Sequence, residues 1–192
     1  SNRGEEAKKY LLDRGLSEES LKLFKVGLAS AGSSYLWNAV KVKNYSREVL
    51  EKSGLFGFSN NDIYDRFRSR IMFPIWNASG KIIAFGGRVF GTDDPAKYMN
   101  SPETPLYRKS EIFYGLNLTR DAIRKNECAI MVEGYTDLIQ LFQAGIKNVV
   151  SVSGTAFTEK HVQQIRRFSS KVYLAYDGDS AGIKASLRAG YV

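Results

Sequence analysis

Apolar positions change their spacing twice along this chain, and each change marks a different kind of element. Near the start they recur at helical intervals. Ala7, Tyr10, Leu11 and Arg14 share one face, and Gly15 stops the turn. Ser17 is a helix cap, with Glu18 and Glu19 suited to the positive end that follows. The second helix turns Leu21, Phe24 and Leu28 inward, and a third covers Arg47 to Lys52, ended by Ser53-Gly54. From Asp65 the period becomes two. An extended Asp65 to Ile71 sets Arg66, Arg68 and Arg70 on one face and Phe67, Ser69 and Ile71 on the other. The apolar run continues to Trp76, with Pro74 arguing for a sheet edge or a strand end. Asn77 to Gly80 is turn chemistry, and Lys81 to Phe85 returns as the second arm of a hairpin.

Residues 91 to 110 are loop-rich, with Pro95, Pro102 and Pro105 among Lys97, Arg108, Lys109, Tyr98 and Tyr107. The two tyrosines suit base stacking or plain packing equally. The last third alternates short apolar runs with helical ones. Strands are expected at 129 to 132, 148 to 152 and 171 to 176. Helices are expected over 136 to 144, from a Thr158 cap to Phe168, and from Ala181 onward. Short buried strands separated by helices form a parallel sheet covered on both faces.

Composition narrows the class. The 192 residues are 43% hydrophobic and 25% charged, with 17 Gly and 4 Pro, so disordered and collagen-like chains are excluded. One cysteine, Cys128, excludes an internal disulfide, and a single histidine, His161, leaves no zinc-ligand spacing. Both are read as structural. No apolar run approaches the ~18 residues that span a bilayer, and the polar first residues are no signal peptide, which places the chain in a cytosol without membrane contact. The net charge of +8 favours a polyanionic partner.

Acids stand where an α/β site should be. Glu133 closes the first strand of the alternating region, and Asp177-Gly178-Asp179 closes the third; ligands of open sheets bind at such carboxyl ends. Each alone is compatible with a solvated turn or a helix cap. Together, beside Ser153-Gly154-Thr155 at the end of the second strand, they are expected to converge. Two carboxylates about 5 Å apart repel by roughly 3 kcal/mol at an effective dielectric near 20. A divalent cation relieves this, and magnesium takes such hard oxygen ligands.

Glu133-Gly134-Tyr135-Thr136-Asp137, Ser153-Gly154-Thr155 and Asp177 to Gly182 resemble the TOPRIM domain of bacterial primases and topoisomerases. Upstream, Arg66 to Ile75, Phe85-Gly86-Gly87-Arg88 and Lys97 to Thr104 are similar to DnaG-type bacterial DNA primases in order and spacing, as is Arg14-Gly15-Leu16-Ser17. The resemblance implies an α/β fold: a partial TOPRIM parallel sheet with helices on both faces, preceded by a mixed α+β subdomain. The expected division is a subdomain over residues 1–124, helical over 1–60 and built of basic strands and loops over 61–124, followed by a TOPRIM domain at 125–192.

It further implies that Glu133 binds a catalytic metal, Asp177 bridges two, Asp179 holds the second and Asp137 supports them, the ions being Mg2+ or Mn2+. Arg66, Arg68, Arg70, Arg88, Lys97 and Lys109 match a basic ridge for template and nucleotide phosphates. Family members carry a further acidic pair after a fourth strand, a zinc-binding domain and a helicase-binding region. None lies in this sequence, so a monomeric, truncated polymerase-core fragment with weak activity of its own is expected. The activity implied is RNA primer synthesis from ribonucleoside triphosphates on single-stranded DNA at a bacterial replication fork. A TOPRIM nuclease and a non-catalytic single-strand-binding module are the alternatives.

Overall fold

The computed structural model describes residues 2–60 and 62–192. Helix α1 (Asn2–Asp13) buries Ala7 and Leu11 and ends at Gly15, whose φ of +86° an L side chain resists. The Ser17 side chain accepts from Ser20 N at the start of α2 (Glu18–Leu23). Lys25, left-handed at φ +50°, then stops the helix, so Leu28 sits in strand β1 (Gly27–Ala29) rather than on a helix face. Helix α3 (Tyr35–Val40) follows, then α4 (Arg47–Ser53), capped by Ser46 and closed by Gly54 at φ +68°. Strands β2 (Phe56–Ser59) and β3 (Asp62–Asp65) pair antiparallel. The stretch expected to be helical up to residue 60 therefore contributes two strands as well.

The hairpin is β4 (Arg70–Trp76) and β5 (Ile82–Val89), joined through a turn in which Asn77 Oδ1 accepts from Ser79 N and Lys81 N. With β1 and β6 (Tyr98–Asn100) it forms an antiparallel sheet of order β1-β4-β5-β6. Pro74 thus lies in a central strand, yet β1 pairs with β4 only as far as Met72, so the chain is locally an edge at the proline.

The expected face of Arg66, Arg68 and Arg70 is corrected. β3 ends at Asp65, β4 begins at Arg70, and Ser69 between them is left-handed at φ +47°. Alternation needs continuous extended backbone, and this kink removes it. Arg70 turns into the protein. It is 2% exposed, donates to Gly87 O at 3.3 Å and Ala96 O at 2.8 Å, and pairs with Asp94 at 2.5 Å. The Ala96 N–H, and after it Arg70, hold the Asp94 carboxyl below its ordinary value. Because the folded value is the lower one, the clamp's contribution is complete above the unfolded carboxylate range and is lost as pH falls through the folded value. Asp94→Asn is accordingly expected to lower Tm at neutral pH, with the difference from wild type shrinking in melts at successively lower pH as the Asp94 carboxylate takes up its proton.

Helix α5 (Leu116–Asn126), in a stretch where no element is expected above, buries Leu116, Thr119 and Ile123. The parallel sheet comprises β7 (Ala129–Val132), β8 (Val149–Ser151) and β9 (Val172–Leu174) in the order β8-β7-β9. Helices α6 (Tyr135–Gln143), α7 (Glu159–Ile165, capped by Thr158) and α8 (Ser180–Gly190) flank it. One core, with Phe24, Ile71, Phe73, Tyr135, Leu138 and Val149, joins both sheets across the expected 124/125 boundary. A second, with Phe113, Ile123, Met131, Val150 and Ile165, lies within the parallel-sheet region. His161 is buried there between Phe113 and Phe157, its Nδ1 3.0 Å from the Thr158 hydroxyl, a structural setting. Among the described residues no helix is long and apolar enough to cross a membrane.

Candidate active site

The parallel sheet delivers its strand ends to one place. Glu133 follows β7, Ser153-Gly154 follows β8, and Asp177 lies shortly after β9. Glu133 is half-buried, and its Oε1 accepts from Asp177 N at 3.1 Å, which ties two of these ends together. Gly182 on α8 makes the approach feasible. A Cβ there would stand 2.1 Å from Asp177 O and 2.8 Å from Glu133 Oε1.

The expected carboxylates are engaged unequally. Among the described residues no group of three acids, histidines or cysteines is arranged to hold an ion. Asp179 is the N-cap of α8, its Oδ1 accepting from Ala181 N at 3.0 Å and Gly182 N at 2.8 Å. Asp137 bends back to accept from Gly134 N at 2.9 Å. Backbone donors thus engage both. Glu133 and Asp177 are left facing the cleft with oxygen donors only. That set fits a cation held by one or two carboxylates with water completing its shell, the habit of magnesium, rather than a closed cage.

A cleft of about 330 Å3 opens at these ends, and its walls carry both signs of charge. Glu133, Asp137 and Asp177 line it together with Lys97, Tyr98 and Arg14. Arg14 is not among the residues expected at the site, because in the sequence it only continues a helical face. Tyr98 is 44% exposed, whereas Tyr107 is 4% exposed and packs in the core. Burial pushes the Tyr107 phenol up to about 12. Burial, followed by the Glu133 charge, does the same to Tyr176, also to about 12, so both stay protonated.

The remaining basic candidates lie outside this lining. The Arg88 guanidinium stands over the Tyr98 ring at 5.9 Å and the Tyr10 ring at 4.8 Å, one residue pair from the cleft wall. Arg68 is exposed above the Tyr64 ring, and half-buried Arg66 has an Nε without a hydrogen-bond partner. Lys109 sits in a short 3-10 turn, Lys109–Glu111, where its backbone N–H donates to Glu103.

A parallel sheet with acids at its strand ends, joined through a shared core to an antiparallel sheet, is the architecture of a Toprim domain with a second subdomain packed against it. Residues 127–191 match the Toprim domain family, and residues 1–120 match the family described as DNA primase catalytic core, N-terminal domain. The chain belongs to the DnaG primase catalytic-core family. It is 44% identical over 184 residues to a DNA primase of Clostridium acetobutylicum, a match covering 95% of this chain and 30% of that protein. The RNA polymerase domain of Mycobacterium tuberculosis primase DnaG superposes with a TM-score of 0.89 at 35% identity, over 97% of this chain and 63% of that one. A DnaG primase catalytic domain bound to ssDNA superposes with a TM-score of 0.80 at 40% identity, over 94% and 56% of the two chains. The chain therefore spans about a third of the length of the curated primase it resembles.

Proposed function

We propose that this chain is the portion of a primase that holds the template strand and the reacting nucleotides during metal-dependent synthesis of an RNA primer on single-stranded DNA. The cleft where Glu133 and Asp177 face Lys97 carries this reading, since a nucleotide brings anionic phosphates and a divalent cation to one spot. Glu133 and Asp177 would hold the cation, Mg2+ or Mn2+, with Asp179 beside them through its second oxygen. When bound, the metal supplies positive charge that stabilises phosphoryl oxygens and lowers the pKa of an attacking hydroxyl.

The protein's own groups position. Lys97 places a point charge for a phosphate at the cleft wall, and Tyr98 offers an exposed ring for a base or sugar. Arg88, braced between two rings, presents a guanidinium whose fork matches phosphate oxygens. Arg66 and Arg68 extend the path along the kinked linker, and Lys109 continues it beyond the loop. Arg70, engaged by Asp94 and two carbonyls, serves that path by holding the β4–β5 scaffold instead of by touching phosphate. The ssDNA-bound catalytic domain among the relatives supports a single-stranded template as partner. A triphosphate with its bound cation suits the pairing of these acids with Lys97, and ribonucleoside triphosphates are the form that RNA primer synthesis consumes.

A salt titration of single-stranded DNA binding tests this. Each lost phosphate contact on a single strand lowers the slope of log affinity against log salt by about 0.7. Arg88→Ala and Lys97→Ala are each expected to flatten the slope by that amount. Lys8→Ala, whose ammonium pairs with Glu18 on α2, is expected to leave it alone. Unchanged affinity and slope in both ridge variants would remove the template path from this face.

A further inference from the structure

The candidate acids rest on loops, and loops alone hold a geometry poorly. What steadies these loops comes from the other sheet. Tyr135, the residue that starts α6 just after Glu133-Gly134, donates its hydroxyl proton to Asn100 Oδ1 at 2.7 Å. Asn100, at the end of β6, donates from Nδ2 to Ser153 O at 2.8 Å. Ser153 N in turn donates to Ser151 Oγ at 3.0 Å, and that hydroxyl donates to Glu133 O at 2.8 Å. The amide of one asparagine thus grips the loop after β7 with its oxygen and the loop after β8 with its nitrogen.

Each end needs that grip. Ser153 and Gly154 are consecutive left-handed residues, at φ +52° and +81°, a conformation that the side chain of a serine resists. Tyr135 has one position available. Its ring stacks on Phe73 at 4.9 Å and meets Tyr114 edge-on at 4.7 Å, so the hydroxyl is aimed by packing. Burial also keeps the phenol protonated, which settles the direction of its hydrogen bond. β6 additionally carries Tyr98, paired with Arg88 in register, and follows Lys97 directly.

We infer that Asn100 is a positioning residue of the site, which through Tyr135 and Ser153 fixes the loops that present Glu133 to the cleft from the same strand that carries Tyr98 and directly follows Lys97. This rests on the reading of Glu133 as a metal ligand given above. Asn100 touches no reacting group itself, and its effect passes through backbone held in place.

The test is Mn2+ affinity of the full chain, read from the electron paramagnetic resonance signal of free Mn2+, with metal-free melting measured in parallel. Asn100→Leu, equal in bulk but unable to bond, is expected to weaken Mn2+ binding about tenfold, as loss of an outer partner to a ligand does. Tyr135→Phe, which keeps the ring packing and removes only the hydroxyl, is expected to weaken it roughly threefold. Should Asn100→Leu fail to fold, Tyr135→Phe decides. A lowered melting temperature with wild-type Mn2+ affinity in both would make the network a scaffold only and overturn the inference. Glu133→Gln separates the positioning role from the metal site itself. If it abolishes Mn2+ binding while the other variants bind normally, the positioning role alone falls; if it binds Mn2+ like wild type, the metal-site reading falls and the inference with it.

Discussion

Gly86→Val is expected to lower the melting temperature by about 10 °C. Gly86 lies in β5 against the face of Tyr135, and a Cβ there would stand 2.3 Å from the tyrosine Cζ and Oη. The ring cannot retreat, being clasped by Phe73 and Tyr114 and bonded to Asn100. Overpacking of this kind costs about 3 kcal/mol, and for a chain of this size each kcal/mol shifts Tm by roughly 2–4 °C. The control is Gly27→Ala in β1, where a Cβ meets nothing within 4 Å. That change should stay within about 0.5 kcal/mol. Equal melting of Gly86→Val and wild type would mean that the two sheets do not meet as described.

A second large effect is expected from the divalent cation. Magnesium at a hundred times its dissociation constant should raise stability by about 2.7 kcal/mol, which scales to roughly 5–11 °C in Tm. Asp177→Asn should remove most of that shift and leave metal-free melting unchanged or slightly raised, since the Asp177 side chain anchors no helix. Asp179 separates its two duties differently. Asp179→Asn keeps a capping oxygen for Ala181 N and Gly182 N, while Asp179→Ala loses the cap and about 1 kcal/mol without metal. A metal response that survives in Asp177→Asn would sink the assignment.

The charge pattern alone was a poor guide to the basic path. Arg66, Arg68 and Arg70 alternate in sequence, but one left-handed serine breaks the strand between them, and Arg70 finds Asp94 and two carbonyls instead of solvent. Helix α5 is legible in the spacing of Leu116, Thr119 and Ile123, which recur at helical intervals. The short strand β6 was not legible. Three residues in a proline-rich loop carry no period, and only pairing with Gly86, Gly87 and Arg88 makes Tyr98 to Asn100 a strand.

The sequence by itself determined the caps at Ser17 and Thr158, the β4–β5 hairpin, and the alternation that builds a parallel sheet with acids at its strand ends, because these depend on neighbours within a few residues. Its motifs, taken in order, also pointed to the family to which the chain belongs. Only the tertiary structure decided that Glu133 is tied to the backbone of Asp177, that Arg70 is interior, and that Arg14 reaches the cleft from the turn after the first helix. Tertiary structure also brought Asn100 between Tyr135 and Ser153, residues 35 and 53 positions away. The reason is physical. Glu133 takes an N–H 44 residues further on and Arg70 a carboxylate 24 residues further on, and such pairings depend on segments far off in the chain, whose spacing no local pattern records.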